Sequence, residues 1–137
     1  MSSPEENLTI ARDGIAAFQR GDVEAFLEFL DPEVDLFSPP DLPNPTHSTG
    51  RDGYVQWVTR WLEAWETFEV DANDYEAIGE RHVLIDVTQR GVGKGSGIEV
   101  QMPAVYMIEI RDRRAARVHL YPDRERALAV AEEGEAG

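Results

Sequence analysis

The sequence contains no cysteine. That absence excludes disulfides, thiolate catalysis and cysteine-based zinc sites. No apolar run approaches the roughly 20 residues that a membrane-crossing helix needs. Positive charge is scarce: 13 Lys and Arg stand against 27 Asp and Glu, for a net charge of −14. So acidic a surface repels phosphate backbones and anionic lipid, which argues against nucleic acid and membrane as partners. The opening MSSPEENLTIARDG lacks the basic start and apolar run of a secretory leader, so the expected location is the cytoplasm. His47, His82 and His119 have no metal-ligand spacing, and neither a metal nor a cofactor is expected. The glycine-rich stretch from Gly91 to Gly97 precedes strand-like sequence and lacks the Gly-Lys-Ser/Thr order of a phosphate loop, so it reads as a hairpin. The acidic run Asp31, Glu33, Asp35 lacks the glycine and the twelfth-position glutamate of a calcium loop.

What is present suits one domain spanning residues 1–137. Hydrophobic residues make up 42% of the chain, enough to build a core and to exclude wholesale disorder. Leu8, Ala11, Ile15 and Phe18 recur at helical spacing and predict a helix over residues 5–20, stopped by Gly21. Gly14 in its middle costs about 1 kcal/mol relative to alanine, which points to close packing or a pocket border there. Asp22 is placed to cap a second helix carrying Val23, Phe26, Leu27 and Leu30. Asp31-Pro32 ends it, and residues 33–38 alternate as a strand with Val34, Leu36 and Ser38 on one face. The proline-rich segment from Pro39 to Gly50 reads as a loop. Asp52 is then the expected cap of a third helix that runs to about Trp65, with Tyr54, Val58, Trp61 and Trp65 in a stripe and Trp57 beside it.

From about Thr67 the apolar period changes from helical to two. Strands are expected at 68–72, around Val83, Ile85 and Val87, at 100–110 and at 115–121. Pro122 stops the last one, and Asp123 caps a short helix with Ala127, Leu128 and Val130; the final EEGEAG is expected to fray. Helices followed by a run of strands indicate an α+β domain with helices on one face of an antiparallel sheet. Residues 100–121 are apolar on both faces, with Tyr106 and Ile108 on one side and Val105 and Met107 on the other. The outer face therefore needs a cover, and a second copy of the chain is the simplest one.

The run AFQRGDVEAFLEFLDPEVDLFSP resembles the opening of the nuclear transport factor 2-like superfamily. RGVGKGSGIEVQMPAVYMIEIRD and ARVHLYPDRERALAVA resemble its SnoaL-like, polyketide cyclase-like branch, which closes on a Tyr-x-Asp-x-x-x-Ala-Leu pattern, here Tyr121, Asp123, Ala127 and Leu128. The resemblance spans residues 6–131. It implies a cone-shaped, curved antiparallel sheet wrapped by three N-terminal helices, with a short C-terminal helix and a pocket at one end. It also implies homodimers paired through the outer sheet face. The fold hosts isomerases, cyclases, hydrolases and proteins with no chemistry, so it does not fix the activity.

Aligned on the Gly21-Asp22 break, the general-base position of the ketosteroid isomerases falls on Ser38, and their oxyanion donors fall on Gly14 and near Val105. None of these residues can play those parts, which argues against that reaction. Asp35 and Asp86 are the nearest candidates for a cyclase-type carboxylate. His119 is the candidate acid or base near neutral pH, with Arg117 and Tyr121 beside it on its strand. Ser38 is expected to face the pocket, Tyr54, Trp57 and Trp61 to wall it, and Gln89 or Arg90 with Tyr121 to supply polar contacts. Two functions fit. One is an isomerase, cyclase or hydrolase acting on a small apolar or polycyclic substrate. The other is a non-catalytic homodimer that binds or carries such a molecule. A one-residue slip of the last strand would turn His119 and Tyr121 outward and Val118 and Leu120 inward, and that outcome favours a binder.

Overall fold

The structure is a computed structural model and describes residues 3–42 and 44–129. Helix α1 runs over Pro4–Gln19. Ser3 caps it by accepting the Glu6 amide at 3.2 Å, Pro4 opens it, and Glu5 and Glu6 lie in the first turn, where carboxylates are favoured. Gly21 follows with φ of 73°, a conformation that glycine adopts freely. Helix α2, Val23–Phe29, is capped by Asp22 through the Ala25 amide at 3.1 Å, as the sequence indicates. Strand β1, Leu30–Ser38, begins without an intervening loop.

Several boundaries differ from the expectation, among them the start of β1 at Leu30 rather than residue 33. The segment from Pro39 to Gly50 contains a short strand, β2, Thr46–Thr49, paired antiparallel to β1. Helix α3 covers Arg51–Glu63 and is capped by Gly50, which makes no side-chain bond; Asp52 lies in its first turn. Trp65 belongs to the next strand, β3, Trp65–Ile78, because the helix closes at Ala64 and the chain reverses there. The remaining strands are β4, His82–Gly93, β5, Glu99–Arg111, and β6, Arg114–Tyr121. A short helix, α4, covers residues 124–129 and is capped by Asp123 through the Arg126 amide at 2.8 Å. Val130 and the EEGEAG tail lie outside the described residues.

The six strands form one sheet in the order β2-β1-β6-β5-β4-β3. Five neighbouring pairs make it, four antiparallel and one, β1 with β6, parallel; the sheet is therefore mixed and mostly antiparallel. The physical reason is the topology: four antiparallel strands follow α3, and the last of them, β6, returns beside β1 running in the same direction. Register breaks in β1/β6, β3/β4 and β5/β6 bend the sheet into an open, curved wall. Helices α1 and α3 cross the concave side, with α1 over β3 and β4 and α3 reaching from β1 to β3.

Between these layers lies the main core, built from Ile10, Ala11, Ile15, Leu30, Val34, Leu36, Val83, Ile85 and Ile108 among others. Gly14 sits against the Phe29 ring: a Cβ built there would lie 2.5 Å from the ring carbons. The glycine thus lets the two helices approach. On the convex side a second cluster joins Leu84, Val105, Met107 and Tyr121 to Ala127 of α4, whose own exposure is 0%. Arg124 pairs with Glu76, and Arg126 with Asp41, tying α4 to the sheet and to the β1–β2 connection. The cover that the sequence analysis assigned to a second copy is supplied over this part of the outer face by the chain's own last helix.

Gly14→Ala is expected to lower stability by about 1 kcal/mol or more. Overpacking against a buried ring costs about 1–3 kcal/mol, which outweighs the roughly 1 kcal/mol gained in helix propensity. A urea midpoint that rises in the variant would show that Phe29 does not hold this position.

Candidate functional site

The concave face of the sheet and the three N-terminal helices enclose a cavity of about 110 Å³. Its walls follow from strand alternation. On β5, Met102, Ala104, Tyr106 and Ile108 point inward, and on β4 their inward neighbours include Gln89. Residues paired directly across two strands share a face. Tyr106 pairs with Leu120, so Leu120 and Val118 of β6 also line the cavity. Ser38 does so from the end of β1, and Phe68 and Val70 from β3. Helix α3 contributes Tyr54, Trp57, Val58 and Trp61, while α1 and α2 contribute Ile15, Phe18, Phe26 and Phe29. The β1–β2 connection adds Leu42 and Asn44, and the carbonyl of Asn44 accepts the Trp57 indole N–H at 3.0 Å.

The same rule removes several candidates from the cavity. Met107 pairs with His119 and Val105 with Tyr121, so both His119 and Tyr121 stand on the convex face. The expectation that the odd-numbered residues of the last strand turn inward is corrected by this register. Asp86 pairs with Val105 and shares that convex face. Arg90 pairs with Gln101 and turns outward to Asp71, 2.7 Å away, and Glu69, 2.9 Å away. Asp35 alternates with Leu36 on β1 and also points outward. Of the sequence candidates, Ser38, Tyr54, Trp57, Trp61 and Gln89 meet at the cavity; Asp35, Asp86, Arg90, His119 and Tyr121 do not. Tyr106 and Asn44 were missed. Tyr106 was legible as one face of a strand, but its pairing with Gln89 depends on a register that no single strand reveals.

The cavity's chemistry is polar only at points. Among the described residues no Asp, Glu, His, Lys or Arg lines it. Gln89 donates its side-chain N–H to the Tyr106 hydroxyl at 3.0 Å, which leaves the phenolic proton free to donate onward. Burial pushes the pKa of Tyr106 up, against a smaller opposing effect of the Gln89 bond. Burial also raises that of Tyr54, and the neighbouring Tyr106 adds to the rise. Both phenols therefore stay neutral, serving as donors rather than bases. Such a set can orient and polarise an oxygen acceptor, but it holds no group suited to removing a proton from carbon.

The convex-face residues form their own hydrogen-bonded chain. His119 Nε2 lies 2.8 Å from Asp35 Oδ2, and Asp35 Oδ1 lies 3.2 Å from His47 Nε2 on β2. His119 Nδ1 lies 3.3 Å from the Tyr121 hydroxyl, and Phe37 packs among these rings. Burial depresses the pKa of His119 below 6.5, with the Asp35 hydrogen bond pulling the other way. Burial acts to raise that of Asp35, but the hydrogen bonds and charges of His119 and His47 outweigh it and hold the group below 3.8. Neutral His119 thus donates from Nε2 to Asp35 and accepts from Tyr121. The network ties β2, β1 and β6 together. Among the described residues no cluster of histidine, aspartate and glutamate has the geometry to hold a metal ion. Nor is any described helix long and apolar enough to cross a membrane.

The SnoaL-like domain family model matches residues 11–118. No curated protein matches the sequence. Among solved structures, TerC co-crystallised with polyporic acid superimposes with a TM-score of 0.75 at 18% identity, covering 93% of this chain and 96% of that one. Bal32a, from a soil-derived mobile gene cassette, gives 0.78 at 17% identity, covering 88% and 91%. An NTF2-like protein of Burkholderia thailandensis gives 0.77 at 19% identity, covering 96% and 97%. Identities this low establish the fold alone.

The depressed histidine sets a pH dependence. The unfolded chain takes up a proton near 6.5, while folded His119 does so only at lower pH, so its contribution to stability is full above 6.5 and is lost as the pH falls below it. Asp35 adds a separate loss below 3.8, as the pH falls toward its lower folded value. The wild type is expected to lose more stability than His119→Asn between about pH 7.5 and about pH 5.5, read as urea midpoints. Equal losses in the two proteins would contradict the assignment.

Proposed function

Because the chain belongs to the SnoaL-like domain family, whose model matches residues 11–118, we propose that it binds a small, neutral, mostly apolar molecule in the cavity and does no acid–base chemistry on it. The observation that carries this reading is the lining itself: aromatic and aliphatic walls with a Gln89–Tyr106 pair and, among the described residues, no group that titrates near neutrality. A charged ligand would lose its hydration without gaining a counter-charge, at a cost of several kcal/mol. A neutral ligand with one accepting oxygen gains the Tyr106 proton instead.

Size narrows the class further. An engineered apolar cavity of roughly 150 Å³ in another protein takes up benzene, and the volume here is about 110 Å³. A single ring is therefore the natural occupant. A polycyclic ligand, one of the two classes the sequence leaves open, would have to displace wall residues such as Trp57, Trp61 or Leu42. TerC was co-crystallised with polyporic acid, which supports small-molecule binding as the use of this fold without identifying the ligand here.

The isomerase, cyclase or hydrolase reading is the weaker one, since its candidate groups Asp35, Asp86 and His119 are on the other side of the sheet. Pairing of two copies through the outer face also loses part of its argument, because α4 already covers Leu84, Val105, Met107 and Tyr121.

Titration with acetophenone, followed by tryptophan fluorescence, tests the proposal, because Trp57 and Trp61 line the cavity. Saturable quenching is expected, weakened about tenfold by Trp61→Ala and by Tyr106→Phe and changed less than about twofold by His119→Ala. Loss of affinity in His119→Ala with none in Trp61→Ala would place the site on the convex face and overturn the reading.

A further inference from the structure

The cavity holds two polar atoms that the folded chain leaves without partners. Ser38 is 2% exposed, and its hydroxyl has no hydrogen-bond partner among the described residues. The side-chain amide nitrogen of Asn44 is likewise buried and unpartnered, although the carbonyl of the same residue holds Trp57. Both residues line the cavity. They also lie at the same end of the β1–β2 hairpin: Ser38 closes β1 opposite Thr46, and Asn44 comes two residues before Thr46. A buried hydroxyl or amide without a partner lowers stability, so native chains nearly always satisfy or remove such groups. Leu36, two residues earlier on the same face of β1, is apolar and fully buried. Packing alone would favour the same solution at Ser38.

The Gln89–Tyr106 pair belongs to a different wall. Phe37 pairs with His119 and Leu120 with Tyr106, so β6 separates the strand that carries Ser38 from the strand that carries Tyr106. The cavity therefore has polar groups on two flanks with apolar surface between them. One flank offers the phenolic proton of Tyr106. The other offers an amide N–H from Asn44 and a hydroxyl from Ser38 that can both donate and accept.

We propose that Ser38 and Asn44 form a second polar anchor, and that the ligand is a neutral single-ring compound with an oxygen function at each end. The proposal rests on the reading of this cavity as a binding site. A ligand hydroxyl at the second anchor would accept from Asn44 and donate to Ser38, while a carbonyl at the far end would accept from Tyr106. Neither end is ionised, because no cation among the described residues lines the cavity.

The test is calorimetric titration of the full chain with ethylbenzene, acetophenone and 4-hydroxyacetophenone, which carry no oxygen, one oxygen and two. The wild type is expected to bind 4-hydroxyacetophenone about tenfold tighter than acetophenone. Ser38→Ala and Asn44→Ala should each reduce that advantage, whereas His119→Ala, on the convex face, should leave it intact. Equal affinity for the two ketones in the wild type, or an advantage that survives both substitutions, overturns the second anchor and leaves the binding site standing. Failure of all three probes to bind the wild type overturns the site and the anchor together. Thermal melting of the ligand-free protein adds an independent readout: Ser38→Ala is expected to raise Tm, since it removes an unpaired buried hydroxyl. A lowered Tm would mean that the hydroxyl is already satisfied, by an ordered water for instance, and would count against the anchor.

Discussion

Leu36 pairs with Val118 and Phe37 with His119 in the one parallel contact among the described strands. That contact, with the antiparallel pairing of Tyr106 to Leu120, fixes which side of the sheet each residue of the last strand occupies. Everything said about function follows from it. In this register the concave wall receives Val118 and Leu120, while the convex face receives His119, Tyr121 and Asp35. A shift of one residue would exchange the two sets and put a titratable dyad inside the cavity. The bulges in β1/β6 and β5/β6 allow the sheet to curve, and the pairs beyond them keep the faces apart.

The two faces use their polar residues differently. On the convex side each member of the His47–Asp35–His119–Tyr121 chain has a partner, and the chain links three strands near the edge of the sheet. That is what a stabilising network looks like: satisfied, partly buried and tuned to keep histidine neutral. On the concave side the Ser38 hydroxyl and the Asn44 side-chain nitrogen are buried without partners among the described residues, and Tyr106 has a free proton. Polar groups left unpaired in an otherwise apolar wall reduce stability and retain the capacity to bind. Close packing elsewhere offsets part of that cost. Phe29 rests on Gly14 and Trp65 on Gly91, contacts that any side chain at those glycines would obstruct.

Much of the fold was legible because its periods are long and clean. The helical recurrence of Leu8, Ala11, Ile15 and Phe18, the Asp22 cap, and the alternation of Val83, Ile85 and Val87 all appear where the sequence places them. Strand β2 was hidden by the prolines around it, and its four residues carry too little alternation to register. The cavity was legible in part. Ser38 and the α3 aromatics could be placed from their own elements. His119 could not, because β6 is apolar enough on both faces that its orientation depends on partners far away in sequence. The apolar outer positions Val105 and Met107 suggested a second copy for a similar reason: Asp123, Ala127 and Leu128 mark the last helix, but not the face of the sheet on which it packs.

The central claim is that the working surface of this protein contains no group that titrates near neutral pH. The most direct measurement is the affinity for a neutral ligand, acetophenone, as a function of pH from about 5 to about 9, a range that spans an unperturbed histidine and stops short of phenol ionisation. The account predicts a flat profile, constant to within about twofold. A tenfold change centred near pH 6.5 would mean that a histidine or a raised carboxylate meets the ligand, and would contradict it.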